Sequence, residues 1–168
     1  MIEDGLSKDR LRLWLKLLKT QSAIEAALRR KLRDEFATTL PRFDVMSALA
    51  RHRDGLKMSE ISAALKVSNG NITGILDRLT AEGLAERVAV PNDRRAALAR
   101  LTPKGHARFA ELARAHESWL NETLGGLDKS EIDMFAALLQ SITHPMRGAS
   151  TDREYQAQTQ KEETAHAQ

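Results

Sequence analysis

The sequence predicts a mainly α-helical fold that carries one small β-hairpin. Aromatic residues make up only 4% of the chain, and Leu and Ala supply most of an apolar fraction of 42%. That composition favours helices over a β-sandwich. Apolar residues at helical spacing flank a segment that is typical of two short strands around a turn. Two short helices, a tight turn and then a hairpin form a winged helix-turn-helix, which is therefore the expected architecture.

The first helix is predicted from about Lys8 to Ala37, with Ser7 as its N-cap, because neither Pro nor Gly interrupts that stretch. It carries two apolar stripes, one made of Leu13, Leu17, Ile24 and Leu28, the other of Leu11, Trp14, Leu15 and Leu18. A helix that is apolar on two sides needs two partners. We expect one stripe to pack on the protein's own core and the other on a second subunit.

Three further helices are predicted before the hairpin. Pro41 suits the first turn of the second helix, whose inward residues are expected to be Phe43, Met46, Leu49 and Ala50. A short helix follows over about 59–66. Ser68 can then cap a helix over 69–82, and Gly83 has the residue type that ends helices.

The hairpin consists of a strand over 85–90, a turn at Pro91-Asn92-Asp93 and a returning strand over 97–101. Thr102-Pro103 opens a fifth helix that is expected to reach Leu124. Gly125-Gly126 breaks it before a last helix over 129–143. The expected organisation is a dimerisation helix at 1–37, a winged helix-turn-helix lobe at 38–101, dimerisation helices at 102–146 and a disordered tail at 147–168.

The helix over 69–82 has an unusual exposed face. Its core side is made of Ile72, Ile75, Leu76 and Leu79, while its opposite side holds Gly70, Gly74, Asp77 and Ala81, flanked by Asn71, Thr73 and Arg78. A solvated helix would normally carry Glu, Lys or Gln there, because glycine costs about 1 kcal/mol of helix stability relative to alanine. Small residues suit a face that lies close against a DNA major groove. Loose helix propensity on an ordinary surface is the alternative.

Three polar residues at the helix start fit DNA binding. Asn71 and Thr73 can hydrogen-bond base edges, and Ser68, beside Asn69 at the N-terminus, suits a phosphate. The hairpin tip then carries Arg94 and Arg95, which can enter a minor groove. A solvated charge patch is the alternative for the arginine pair, but the combination favours DNA binding over a winged-helix protein-interaction module.

The segments Ser59-Glu60-Ile61, Asp77-Arg78-Leu79, Glu82-Gly83-Leu84, Asp93-Arg94-Arg95 and Leu101-Thr102-Pro103-Lys104-Gly105 resemble, in order and spacing, the MarR family of bacterial regulators. The resemblance covers about residues 8 to 143. It implies a homodimer built from the first and last helices, with two DNA-binding lobes. It also implies that Asp93 pairs with Arg95 to shape the wing, and that an aromatic ligand relieves DNA binding.

Within that family, Pro41-Arg42-Phe43-Asp44 and Ser68-Asn69-Gly70-Asn71 resemble a subset linked to aromatic-acid catabolism, whose ligand can be an acyl-CoA thioester. The effector is therefore expected to be an aromatic acid or an aromatic acyl-CoA, with the thioester the more effective of the two. The candidate effector-binding residues are Trp14, Arg42, Phe43, Met46 and Phe109. Trp14, Phe43 and Met46 are equally compatible with a place in the core, and so are Phe109 and Trp119.

Composition and motif content narrow the function further. The chain has no cysteine, which excludes disulfides and thiol switches, and its five histidines lack metal-ligand spacing. No nucleophile–base motif indicates an enzyme, and no apolar stretch or basic leader indicates a membrane or export, so a cytoplasmic protein is expected. The run Arg29-Arg30-Lys31-Arg33 is a solvated helix face, a contact with flanking DNA, or a binding site for phosphates of a nucleotide-bearing ligand.

Overall fold

A computed structural model describes residues 2–90 and 93–143 of the chain, with side chains described for 5–89 and 97–143. The helices are α1 (Ile2–Phe36), α2 (Leu40–Arg51), α3 (Met58–Leu65), α4 (Asn69–Ala81) and α5 (Pro103–Leu124), and the strands are β1 (Leu56–Lys57), β2 (Ala85–Val90) and β3 (Asp93–Leu101). Residues 129–143 are also helical and are called α6. The chain divides into two units after Thr123. The predicted turn residues Pro91 and Asn92, and the predicted disordered tail, lie outside the described residues.

The winged helix-turn-helix is confirmed, with one strand more than the sequence predicted. The sheet is antiparallel in the order β1-β3-β2. Strand β1 has only two residues, which pair as Leu56 with Ala99 and Lys57 with Leu98. Alternation cannot be seen in so short a segment, and for that reason the sequence did not reveal it. Strand β3 begins at Asp93, four residues before the predicted start.

The predicted start of α1 at Lys8 is wrong. The helix begins at Ile2 and runs through both Gly5 and Ser7. One glycine costs about 1 kcal/mol of helix stability, which a helix of 35 residues tolerates. The Ser7 side chain therefore lies within the helix instead of capping it. The other end is close to the predicted one, because Ala37 takes a left-handed conformation with φ of 50°.

The first apolar stripe of α1 reaches the core only at its C-terminal end. Leu32 is fully buried, and Leu28 and Phe36 pack against the core cluster. Leu13, near the other end of the same stripe, is 50% exposed. The second stripe is exposed along its length, at Leu11, Trp14, Leu15 and Leu18. The N-terminal half of α1 therefore projects beyond the core with apolar residues on both sides.

The core lies between α2, α4, the sheet and α5. Phe43, Met46 and Leu49 of α2 are buried as predicted, and so are Ile72, Leu76 and Leu79 of α4. The remaining core residues come from the other elements and include Leu32, Ile61, Leu84, Leu101, Leu112 and Trp119. Because the apolar face of α4 packs in the core, the opposite face of the helix is the one that is exposed.

The segment Leu101–Gly105 joins the end of α4 to the start of α5. The Thr102 hydroxyl donates to the Gly83 carbonyl at 2.7 Å and accepts from the Gly105 N–H at 3.0 Å. The Thr102 N–H donates to the Leu84 carbonyl at 3.1 Å. Gly105 has to be glycine because a Cβ there would lie 1.9 Å from the Leu84 carbonyl oxygen. The backbones of the two segments are therefore in direct contact.

Gly105→Ala should destabilise the protein by about 1–3 kcal/mol or more, since the clash is with backbone rather than with a flexible side chain. The free energy of unfolding in urea measures this effect. Gly126→Ala is the matched control, because a Cβ at Gly126 meets nothing within 4 Å. Equal stability of the two variants would contradict the close approach of α5 to Leu84.

Candidate nucleic-acid interface

The exposed face of α4 is flat and carries little side chain. Gly70, Asn71, Thr73 and Gly74 are all exposed, and a Cβ added at either glycine would meet nothing within 4 Å. The fold itself therefore does not require glycine at these two positions. Each lowers helix stability, so the face is better suited to a close-lying partner than to solvent.

The N-terminus of α4 leaves polar groups available. Ser68 is the N-cap residue, as predicted, but its side chain makes no capping hydrogen bond. Its carbonyl accepts the N–H groups of Asn71 and Ile72 at 3.1 and 3.2 Å. The Ser68 hydroxyl and the first N–H groups of the helix, including that of Asn69, form the kind of helix terminus that binds a phosphate.

The two predicted base-reading residues differ in their present bonding. The Thr73 hydroxyl donates to the Asn69 carbonyl at 2.9 Å, one turn back in the helix. The Asn71 side chain forms no hydrogen bond within the described part of the chain and is exposed. Asn71 can thus offer both its donor and its acceptor to a base edge.

An ion pair missed by the sequence analysis links α4 to the hairpin. Arg87 of β2 donates to the Asp77 carboxylate at 2.6 Å. Asp77 is the acidic residue of the exposed α4 face, so this pair neutralises the charge that would repel DNA phosphates. Arg78, the next residue, is exposed and has no carboxylate within 4.0 Å among the described residues. The Asp77–Arg87 pair thus links strand β2 to the exposed face of α4.

The hairpin tip stays a prediction at the level of side chains. The backbone of Asp93, Arg94 and Arg95 belongs to β3, so the hairpin exists where the sequence placed it. The side chains of these three residues lie outside the described part of the structure. The Asp93–Arg95 pair and the minor-groove contact therefore remain predictions.

The C-terminal end of α4 is anchored by Arg42, a predicted effector-binding residue. Its guanidinium pairs with the Glu82 carboxylate, and the Lys104 ammonium donates to the Glu82 carbonyl at 2.9 Å. The hydrogen bond from Arg42 holds the pKa of Glu82 below its usual range. Only 17% of the Arg42 side chain is exposed, and its Nε atom is buried with no hydrogen-bond partner among the described residues.

The predicted effector-binding residues separate into two places. Phe43 stacks on the His116 ring at 4.7 Å between centroids and lies 5.6 Å from the Phe109 ring. Met46 is 1% exposed and belongs to the same core. Trp14 is 58% exposed on the projecting half of α1. Phe43, Met46 and Phe109 are therefore neighbours in or beside the core, while Trp14 is not buried in it.

His116 is the functional candidate in this cluster that the sequence analysis passed over. Burial lowers the pKa of its imidazole, which favours the neutral ring that stacks on Phe43. Burial also raises the pKa of Asp44, although the charges of His116 and Arg29 oppose that shift. The histidine has no metal-ligand spacing, and its stacking contact between α2 and α5 leaves no local sequence signal.

A groove beside Phe109 is large enough for a small aromatic molecule. It has a volume of about 790 Å³ and is lined by Ala50, Arg53, Glu86, Arg100, Leu101, Pro103, His106, Phe109 and Ala110. We call it the α2–α5 groove. A second groove of about 590 Å³ runs along Glu82, Leu84, Lys104, Ala107, Arg108 and Glu111. Phe109 is thus the predicted effector-binding residue that lines one of these two grooves.

The basic run of α1 is largely paired. Arg29 pairs with Glu25, Lys31 with Glu122 at 2.7 Å, and Arg33 approaches Asp34 at 3.6 Å. Lys31 also lies over the Trp119 ring, and 5% of Trp119 is exposed. These partners favour a solvated, self-compensated helix face over a phosphate-binding site. Trp119 is a core residue.

Comparison with known proteins identifies the family. A family model described as "MarR family" matches residues 38–96. A crystal structure of a MarR family transcriptional regulator from Silicibacter pomeroyi is 34% identical in sequence, covers 83% of this chain and 96% of its own, and superposes with a TM-score of 0.68. The chain belongs to the MarR family. Such relatives are transcriptional regulators, not enzymes.

Two more distant structures with the same fold contain bound molecules. A mutant of Escherichia coli MarR, in complex with operator DNA, is 24% identical, covers 80% of this chain and 95% of its own, and has a TM-score of 0.68. CouR from Rhodococcus jostii RHA1, bound to p-coumaroyl-CoA, is 17% identical, covers 79% of this chain and 92% of its own, and has a TM-score of 0.67. Both share the fold described above.

Two negative findings complete the description of the site. No helix in the described part of the chain is long and apolar enough to cross a membrane. Among residues 2–90 and 93–143, the structure brings no three His, Asp or Glu side chains together as a metal site.

Gly70→Ala and Gly74→Ala should each stabilise the protein by about 0.5–1 kcal/mol, because the added methyl groups meet open space and improve helix propensity. The same substitutions should weaken binding to the protein's DNA target, since the methyl groups stand between the helix and the groove. Thermal unfolding and DNA-binding anisotropy measure the two effects. Gly5→Ala in α1 is the matched control, where stability should rise without a change in DNA affinity. Unchanged DNA affinity in all three variants would remove the α4 face from the interface.

Proposed function

We propose that the protein is a homodimeric transcriptional repressor that binds a palindromic DNA operator in the cytoplasm and releases it when an aromatic small molecule binds. The observation that carries the proposal is the exposed glycine-bearing face of α4, backed by a fully packed core side and followed by a hairpin. Membership of the MarR family and the operator complex of Escherichia coli MarR support it.

In this proposal α4 is the recognition helix and the hairpin is the wing. Asn71 and Thr73 contact base edges, while the helix terminus at Ser68 and Asn69 holds a phosphate. Arg78, Arg94 and Arg95 contact the DNA backbone or a minor groove, and Asp93 shapes the wing. The pair Asp77–Arg87 supports this assignment because it holds the wing strand against the recognition helix.

Dimerisation is assigned to the chain ends, residues 1–37 and 102–146, around the DNA-binding lobe at 38–101. The exposed apolar residues of α1 support this, and so do those of the second unit, which include Leu127, Ile132, Met134, Phe135 and Leu138. Exposed patches of this kind are rare on monomers and mark interaction surfaces. A two-fold dimer would read an inverted repeat whose half-sites lie about one helical turn apart.

The double substitution Leu11→Glu and Leu15→Glu should convert the dimer into monomers, since it places charges in the middle of the proposed interface. Sedimentation velocity measures the change. Both residues are more than half exposed in the single chain, at 58% and 53%, so the fold of the lobe should survive and circular dichroism should be unchanged. A variant that stays dimeric would locate the interface elsewhere.

The effector is proposed to be an aromatic acid or its CoA thioester, with no further cofactor. The complex of CouR with p-coumaroyl-CoA supports that ligand class, and the α2–α5 groove beside Phe109 has the size for its aromatic part. Arg42 does not line this groove, because its guanidinium is paired with Glu82 at the end of α4. It would therefore influence effector binding only indirectly.

The division of labour between helix and wing can be tested with DNA selected in vitro by the protein and with random duplexes. Asn71→Ala should cost about 1–3 kcal/mol on the selected site and leave random DNA nearly unchanged, because it removes a base contact. Arg94→Ala should weaken both DNAs and lower the salt slope by roughly one unit. Anisotropy at several salt concentrations measures both effects.

Two outcomes would contradict this assignment. If Asn71→Ala weakens both DNAs equally while Arg94→Ala changes only the preference between them, the roles of helix and wing are reversed. If in vitro selection yields no bound DNA at all, the protein is instead a winged-helix interaction module. Comparing Asp93→Ala with Arg95→Ala adds a check on the wing, since equal damage would indicate a structural pair.

A further inference from the structure

The α2–α5 groove is lined by both apolar and cationic side chains. Leu101, Pro103 and Phe109 contribute apolar surface, and Arg53 and Arg100 contribute guanidinium groups. Small-molecule sites combine apolar contacts with a few polar groups that fix the orientation of the ligand. The two arginines favour a ligand with a carboxylate or a phosphate, because the guanidinium fork matches those groups.

Among the described residues, two arginines but only one carboxylate line the groove. Glu86 is the acidic lining residue, and its carboxylate accepts from Arg100 Nε at 2.6 Å. Arg53 has no carboxylate within 4.0 Å in the described part of the chain and is exposed. The Glu86–Arg100 pair is itself about half exposed, at 46% and 43%, so a ligand reaches it directly. The groove therefore has an excess of one positive charge over its single carboxylate, and it is large enough to hold an anionic ligand.

Glu86 and Arg100 occupy opposite positions on neighbouring strands, where β2 pairs with β3. Arg87, the next residue of β2, points to the other face of the sheet because side chains alternate along a strand. On that face it holds Asp77 of the recognition helix. One strand thus carries the groove pair and the recognition-helix pair on adjacent residues.

We infer that the anionic group of the effector binds Arg53 and Arg100 in the α2–α5 groove and displaces Glu86 from Arg100. The inference rests on the proposed function, since it concerns the same effector. The anionic group is the carboxylate of a free aromatic acid or a phosphate of its CoA thioester, and the aromatic part lies over Phe109. Loss of the cross-strand pair loosens the base of the wing one residue away from Arg87, which weakens the hold of the wing on α4.

Glu86 acts in this scheme as an internal competitor for Arg100. Its removal should favour an anionic ligand twice over, because it frees the guanidinium and removes a like charge from the groove. Removal of either arginine should do the opposite. A neutral analogue of the same shape should be indifferent to all three residues, and that difference separates a charge effect from a change in the shape of the groove.

The test measures dissociation constants by calorimetry for p-coumarate, p-coumaroyl-CoA and neutral p-coumaramide, using the full chain and five variants, one of which is Arg30→Gln. Arg53→Gln and Arg100→Gln should weaken the anionic probes about tenfold or more through the lost charge-assisted hydrogen bond. Glu86→Gln should tighten them several-fold. Arg114→Gln, an exposed arginine of α5, is the charge-matched control and should change nothing. The two anionic probes distinguish carboxylate from phosphate.

A parallel titration follows release of the selected DNA site. Glu86→Gln should bind that DNA more weakly without ligand, because the cross-strand pair is already open, and should release it at lower concentrations of the anionic probes. If the probes bind the wild-type protein and release DNA, but Arg53, Arg100 and Glu86 have no effect, the inference is overturned while the proposed function stands. If Arg30→Gln on α1 weakens p-coumaroyl-CoA instead, the phosphates bind at α1. If no probe binds the wild-type protein, which still binds DNA, the proposed effector class and the groove assignment both fail.

Discussion

The structure depends on the contact between the start of α5 and the segment that follows α4. Gly105 presents bare backbone to the Leu84 carbonyl, and a Cβ would leave only 1.9 Å between them. Thr102 closes the gap by bonding to Gly83 on one side and to Gly105 on the other. Because α4 ends at Ala81 and β2 begins at Ala85, this contact holds the end of α4, the start of β2 and the start of α5 close together. The far end of the hairpin is not part of it.

Besides the backbone pairing of β2 with β3, two ion pairs form much weaker links in this part of the lobe. Asp77–Arg87 ties the wing to α4, Glu86–Arg100 ties its two strands together, and all four side chains are between 43% and 60% exposed. Exposed pairs contribute about 0–1 kcal/mol each. Links of that strength suit elements whose position has to respond to a small ligand, because a ligand need supply little binding free energy to open them. The backbone contact between Gly105 and Leu84 therefore holds the base of the lobe in place. The weak ion pairs lie where the hairpin can shift relative to α4.

Local sequence patterns predicted the helices because their causes are local. The spacing of Ile72, Leu76 and Leu79 identified the core side of α4 and therefore its exposed side, and Thr102-Pro103 located the start of α5. The pairs Arg42–Glu82 and Asp77–Arg87 join residues 40 and 10 positions apart, and no periodicity relates them. For the run of cations on α1, phosphate binding stayed open beside a solvated helix face, since a sequence does not show that Glu122 would lie beside Lys31. Strand β1 escaped for the opposite reason, being too short to show any pattern.

The polar groups that lack hydrogen-bond partners within the described part of the chain also indicate where a partner molecule binds. On α1, several charged side chains have partners within the chain, as Arg29 and Lys31 do. On α4, by contrast, the Ser68 side chain makes no capping hydrogen bond. Gly70 and Gly74 lower the stability of the helix although the fold leaves space for a side chain at both positions. A group that is already bonded gains little by binding DNA, because the old bond is lost when the new one forms. Thr73 donates to the Asn69 carbonyl, so in the proposed interface we expect it to contribute less to base recognition than Asn71, whose amide has no internal hydrogen bond within the described chain. A selective DNA contact from this helix should therefore depend first on Asn71.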